Sequence, residues 1–187
     1  KYFPLLAKGR TLVAFALSEP EAGSDAAALR TRAVRDGDDW LITGNKIFVT
    51  CGPVADYVLV LARTNDAPRA KGVSAFIVDT SLAGVTRGPK NRKMGYNGAT
   101  PNCDFFFEDV RVSADAMIGG DGEGFAIAMK CMEFNRPAMS ASALGIAQGA
   151  LDQAVAFAKE REQFGKPIVD FQAVQLHLVT QIRHQNL

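Results

Sequence analysis

A chain of 187 residues, 48% of them apolar, is long enough for one large or two small domains and can bury a sizeable core. Its net charge of +1 gives no electrostatic basis for binding nucleic acid or an anionic membrane, and no run of about 18 apolar residues offers a membrane span. Its 3 cysteines form no C-x-x-C pair, which argues against a disulfide framework and fits a reduced, intracellular setting.

The opening stretch KYFPLLAKGR is too short and too interrupted for a signal peptide. Without an initiator Met, the chain is expected to start inside a longer protein. Short β-rich runs follow: TLVAFAL (11–17), RTRAVRD (30–36), WLITGNKIFVT (40–50), DYVLVLA (56–62), GVSAFIVD (72–79) and CDFFFEDV (103–110). They are rich in Val, Ile, Phe and Thr and bounded by Gly, Pro, Asn or Asp, so each is predicted to be a strand. Asp36-Gly37 turns into the Trp40 strand, and residues 64–72 are predicted as an exposed hairpin loop. Strands at this spacing, with no long helix between them, predict a mainly antiparallel sheet or barrel.

Near residue 120 the period changes. Leu144, Ala147, Leu151, Ala154 and Ala158 recur at helical steps in an Ala-rich segment that reaches about Arg161. Pro137 lacks the amide a helix interior needs, so a kink or a fresh helix start is expected there. An FGKP loop leads to a last helix from about Asp170 that is still running at residue 187. Broad apolar faces on so few helices need further partners, so the fold class is read as α+β: an antiparallel β-barrel followed by an incomplete α-helical bundle.

Chemistry is densest in FALSEPEAGSD, residues 15–25. A strand ends in Ser18, a tight turn carries Pro20 and Gly23, and Ser24 with Asp25 is placed to cap a short helical turn over AAAL. Exposed amides and hydroxyls at such a junction suit a cofactor that offers carbonyls or phosphates; an ordinary capped turn is the alternative. GGDGEGF (119–125) lacks the G-x-G-x-x-G spacing and is read as a flexible helix entry, not a dinucleotide loop. His177 and His184 have no acidic or thiol partner at ligand spacing and are read as a surface pair. Cys51, Cys103 and Cys131 are each read as a small buried core residue.

FALSEPEAGSD, GNKIFVTCG, FFEDVRV, GEGFAIAM, NRPAMSASALGIAQGAL and KEREQFGKPIVDFQAVQ stand in one series, and that series resembles the acyl-CoA dehydrogenase family over almost the whole chain. The resemblance implies the end of a helical domain at 1–10, a flavin-binding β-barrel domain at 11–120 and the opening of a helical-bundle domain at 121–187. It also implies FAD, oxidation of an acyl-CoA to the trans-2-enoyl-CoA, an electron-transfer flavoprotein as acceptor, and a homodimer or homotetramer. The compartment implied is the cytoplasm of a bacterium or the mitochondrial matrix of a eukaryote.

By the same resemblance Phe15, Leu17 and Ser18 match the strand that contacts the flavin ring, with Ser18 where Thr is more common. Ser24 matches a residue near the FAD phosphates and the ligand's pantetheine arm, and Glu21 stands where Gly is frequent. Phe48, Val49 and Thr50 match the aromatic-aliphatic-hydroxyl triplet beside the flavin, Phe48 replacing a common Trp. Arg161, Phe164 and Gln172 match residues that reach the FAD of a partner subunit, and Glu133 and Arg136 match positions near the substrate. Asn135 falls where the isovaleryl- and long-chain-type enzymes carry their base, and Asn accepts no proton. Other members carry the base in a later loop, so no residue of this chain is assigned as the base, and the chain alone is expected to be inactive. An acyl-CoA oxidase passing electrons to oxygen and a non-catalytic binding module of the same fold remain the alternatives.

Overall fold

The computed structural model describes residues 3–95 and 98–185. The chain divides into two compact units, residues 1–130 and 131–187.

The first unit opens with a short helix, α1 (Phe3–Ala7), and then carries strands β1 (Val13–Ala16), β2 (Arg32–Asp36), β3 (Asp39–Thr50), β4 (Tyr57–Arg63), β5 (Val73–Asp79), β6 (Val85–Arg87), β7 (Asn102–Ser113) and β8 (Met117–Ile118). Their order is β6-β7-β3-β2-β4-β5-β8, with β1 attached to β4. Most ladders are antiparallel, as the strand spacing predicts; β1 and β2 meet β4 in parallel. The ladders form an open path, and among the described residues none joins β6 to β8.

Alternation explains the core. Successive strand residues point to opposite faces, so Trp40 and Ile42 of β3, Val58 and Val60 of β4, Phe76 and Val78 of β5, and Phe105 and Phe107 of β7 meet in one buried cluster. Trp40 and Phe76 pack edge to face at 5.6 Å, the geometry aromatic quadrupoles favour. β4 and β5 are apolar on both faces because a second cluster covers their other side. It joins Leu61, Val73 and Ala75 to Leu17, Ala22, Leu29 and Ala128.

That cover includes the start of α2 (Gly124–Glu160). A Cβ on Gly124 would stand 2.2 Å from the Ser74 carbonyl carbon and 2.3 Å from the Ala75 nitrogen, so only glycine lets this helix begin against β5. The GGDGEGF entry is tied down and not loose. Asp121 accepts from Asn65 at 3.2 Å, from Ser74 at 3.1 Å and from Thr64, and Glu123 accepts from the Gly120 amide at 2.8 Å.

The second unit contains the rest of α2, a hairpin of β9 (Glu162–Gln163) and β10 (Lys166–Pro167), and α3 (Gln172–Gln185). The helix runs through Pro137 without restarting: a single lost bond is small against a ladder of 37 residues. Leu151 and Ala158 are buried, whereas Phe134, Leu144, Ile146 and Phe157 of α2 and Leu176 and Val179 of α3 are exposed.

Candidate functional site

Two strand ends of the first unit carry the residues singled out around the proposed ring. β1 holds Phe15 on its exposed face, and the chain continues through buried Leu17 to half-buried Ser18. β3 ends in Phe48, Val49 and Thr50. Its ladder with β7 slips between Lys46 and Val49, a β-bulge, and Phe48 sits at φ 56 with its side chain 64% exposed. A bulge bends the strand and re-aims a side chain, so the large aromatic is turned outward while Val49 stays buried. Asp104 accepts from the Phe48 amide at 3.1 Å and fixes the bulge. Ile47 donates its amide to the Ser18 carbonyl at 2.9 Å, which brings the two ends together.

The hydroxyls of Ser18, Ser24 and Thr50 have no hydrogen-bond partner among the described residues. An outward aromatic at Phe48, with uncommitted hydroxyls at Thr50 of the same strand end and at Ser18 of the segment bonded to it, suits a planar heteroaromatic group with carbonyl acceptors, so these three residues fit a flavin ring. Ser24 is exposed, and the cap expected of Ser24 and Asp25 is not formed. The short helical turn Ala26–Ala28 has no side-chain cap, because Asp25 is drawn instead to Arg69 at 2.6 Å.

Behind these ends lies a pair that the motif reading did not single out. Lys46 is fully buried and Glu19 is 4% exposed, with 2.8 Å between Nζ and Oε1. Lys46 also donates to the Leu17 carbonyl at 3.2 Å, and Glu19 accepts from the Arg30 amide at 2.6 Å and the Thr31 amide at 3.0 Å. Burial pulls the Lys46 ammonium down to about 8 against the attraction of Glu19. Burial pushes the Glu19 carboxyl up, but Lys46, Thr31 and the Arg30 amide together bring it below its ordinary value. The sequence signal was available: Lys46 shares the inward alternation of Trp40 and Ile42, where a charge needs a buried partner.

In the second unit, Arg161 closes α2 and precedes the hairpin. Phe164 and Gly165 form its two-residue loop, both at positive φ (55 and 76), as right-twisted hairpins prefer. Phe164 is 94% exposed at this tip and stands 6.1 Å edge to face from Phe171. Arg161 and Gln172 are exposed, so hairpin and helix start present an arginine, an aromatic and an amide outward. Glu133, Asn135 and Arg136 are exposed within a single turn of α2.

The cysteines differ from expectation. Cys103 is buried, but Cys51 is half-buried and Cys131 is exposed on α2. Burial raises the Cys103 thiol; Arg87 opposes this and Asp104 adds to it. Among the described residues no group of His, Cys, Asp and Glu could hold a metal ion, and no helix is long and apolar enough to cross a membrane.

Comparison with known proteins gives a consistent picture. The family model described as acyl-CoA dehydrogenase, middle domain, matches residues 14–110, and the one described as acyl-CoA dehydrogenase, C-terminal domain, matches residues 122–183. A probable acyl-CoA dehydrogenase, fadE25, of Mycobacterium bovis is 46% identical over 94% of this chain and 45% of its own length. The CarC subunit of the caffeyl-CoA reductase-Etf complex of Acetobacterium woodii is 43% identical over 93% of this chain and 46% of its own. The structure of butyryl-CoA dehydrogenase from Megasphaera elsdenii superposes with a TM-score of 0.93 at 39% identity, covering 97% of this chain and 48% of that one. The chain thus spans about half the length of the curated relatives it matches.

Proposed function

The chain belongs to the acyl-CoA dehydrogenase family, and from that premise we propose that the intact protein seats FAD against the paired ends of β1 and β3. There it oxidises an acyl-CoA thioester at its α and β carbons to the trans-2-enoyl-CoA. Phe48 carries this reading. A bulky residue in the left-handed region costs roughly 1–2 kcal/mol, and at 64% exposure this one gains no core burial in exchange. Strain of this kind persists where the surroundings impose it and function uses it.

Bound FAD supplies the hydride acceptor. The residues of this chain hold and tune it. Thr50 and Ser18 donate their hydroxyls toward the ring, where fixed donors stabilise developing negative charge without having to reorganise. Phe48 walls one side and excludes water, and Phe15 and Leu17 line the β1 edge, with Val49 anchoring the other strand end in the core. Ser24 serves the phosphates and the pantetheine arm. Arg161, Phe164 and Gln172 serve the FAD of a neighbouring subunit, the guanidinium offering a rigid fork to the pyrophosphate. Glu133 and Arg136 serve the acyl substrate. No side chain assigned here is a proton acceptor for the α carbon, since Asn135 is an amide. We assign residues 11–120 to the flavin-binding part and 121–187 to the helical part, and an electron-transfer flavoprotein to re-oxidation. The name of the Acetobacterium woodii relative supports that last assignment.

The test is to mix the intact protein with acyl-CoAs of graded length, with and without oxygen, and to add an artificial electron acceptor only after the flavin absorbance has been read. Bleaching of the flavin absorbance by at least one acyl-CoA, without peroxide, is expected. Peroxide as the main product would make the protein an oxidase, and no bleaching by any acyl-CoA would remove the proposal.

A further inference from the structure

β1 is laddered to β4 alone. The segment that continues it, Leu17 and Ser18, is nevertheless bonded to β3, with which β1 shares no ladder. Two bonds make that junction. The Ile47 amide donates to the Ser18 carbonyl at 2.9 Å. One residue earlier, Lys46 Nζ donates to the Leu17 carbonyl at 3.2 Å and to Glu19 Oε1 at 2.8 Å. Glu19 passes the restraint on, since its two oxygens hold the amides of Arg30 and Thr31 at the entry to β2. The residue after Ile47 is Phe48, where the bulge begins to turn outward.

Stability alone does not account for such a pair. Desolvation of two buried charges offsets much of their attraction, and apolar side chains of similar volume often do as well or better. What Lys46 does that a methionine cannot is donate in several directions from one atom. One acceptor is a main-chain carbonyl of the β1 edge; the other is the carboxylate that fixes the turn after it. Building on the flavin reading above, we propose that Lys46, held by Glu19, is a positioning residue for the flavin: it sets the spacing between the Leu17–Ser18 backbone and the Phe48–Thr50 strand end, the two edges on which the ring is seated. The hydroxyls of Ser18 and Thr50 are then aimed by a group that itself touches no ligand.

The test uses the intact protein carrying Glu19→Gln together with Lys46→Met, which removes both charges and leaves neither unpaired. FAD affinity is expected to fall on the order of tenfold or more, the size seen in metal sites when a partner that orients a ligating side chain is lost. The absorbance bands of the bound flavin should shift toward those of free flavin, and the midpoint potential should move. Val110→Ala, a fully buried change on β7, is the control: it should lower the unfolding temperature and leave spectrum and potential as in the unmodified protein. If the double variant does not fold, Glu19→Asp carries the same expectation, because it keeps both charges and withdraws the carboxylate by one methylene. Unchanged affinity, spectrum and potential in the folded variant would overturn the proposal, as would an equal spectral shift in Val110→Ala. An unmodified protein that takes up no flavin would remove the flavin reading, and this proposal with it.

Discussion

Replacing Glu19 by Gln tests the buried pair through stability. Lys46 has no exposed surface and Glu19 only 4%. The substitution leaves an ammonium in the core without its counter-charge, and in either amide orientation an NH2 group takes the place of an oxygen that accepted from Lys46 and Thr31 or from Arg30. Breaking a buried pair by removing one partner costs about 3–5 kcal/mol, a large share of the roughly 5–15 kcal/mol that holds a domain folded. Lys46→Met alone leaves Glu19 uncompensated but still bonded to two amides, so its loss should be smaller. The double variant, lacking both charges, should be more stable than Glu19→Gln by about 1 kcal/mol or more, since a neutral core avoids the desolvation penalty. Urea unfolding followed by the fluorescence of Trp40, the 1 Trp of the chain and part of the same core, gives all four corners of the cycle. A loss below about 1 kcal/mol for Glu19→Gln, or strict additivity in the double variant, would mean that the two charges do not stabilise each other, because coupled neighbours do not add.

The Glu19 carboxyl lies below its ordinary value of 4.5 in the folded chain, so its contribution is fully present above that pH and is lost as pH falls through the folded value; the double variant should show a flatter acid limb in unfolding against pH. Gly124→Ala places a methyl 2.2 Å from the Ser74 carbonyl carbon, and overpacking of this kind should lower stability by about 1–3 kcal/mol in the same urea assay. Cys103, buried and with its thiol raised, should resist a thiol reagent until the protein unfolds, when mass spectrometry of the labelled peptides should find it modified.

Much of this fold is legible in the residues because one face of each long strand is apolar. Trp40, Ile42, Val58, Val60, Phe76 and Val78 declare the core by alternation alone. The short β6 and β8 carry too few residues to show a period. The bulge at Lys46–Val49 breaks the alternation, so the sequence marks Phe48 as a strand residue and cannot show that it is turned outward at φ 56. Local chemistry pointed to a cap by Asp25, but Arg69, 44 residues away in sequence, takes that side chain instead. Cys131 falls on an open helix face, which small-residue burial statistics cannot foresee. The Lys46–Glu19 pair joins two motifs 27 residues apart in sequence, and only their meeting in space makes the pair visible.

If the β1 and β3 ends seat a flavin ring, flavin titration of the intact protein will show it when Phe48→Gly and Thr50→Val are compared with the unmodified chain. Glycine relieves the left-handed strain at 48, so the flavin-free Phe48→Gly protein should be no less stable, while both variants should bind FAD more weakly and with altered spectra. Undiminished FAD binding with unaltered spectra in both would mean that the ring is seated elsewhere.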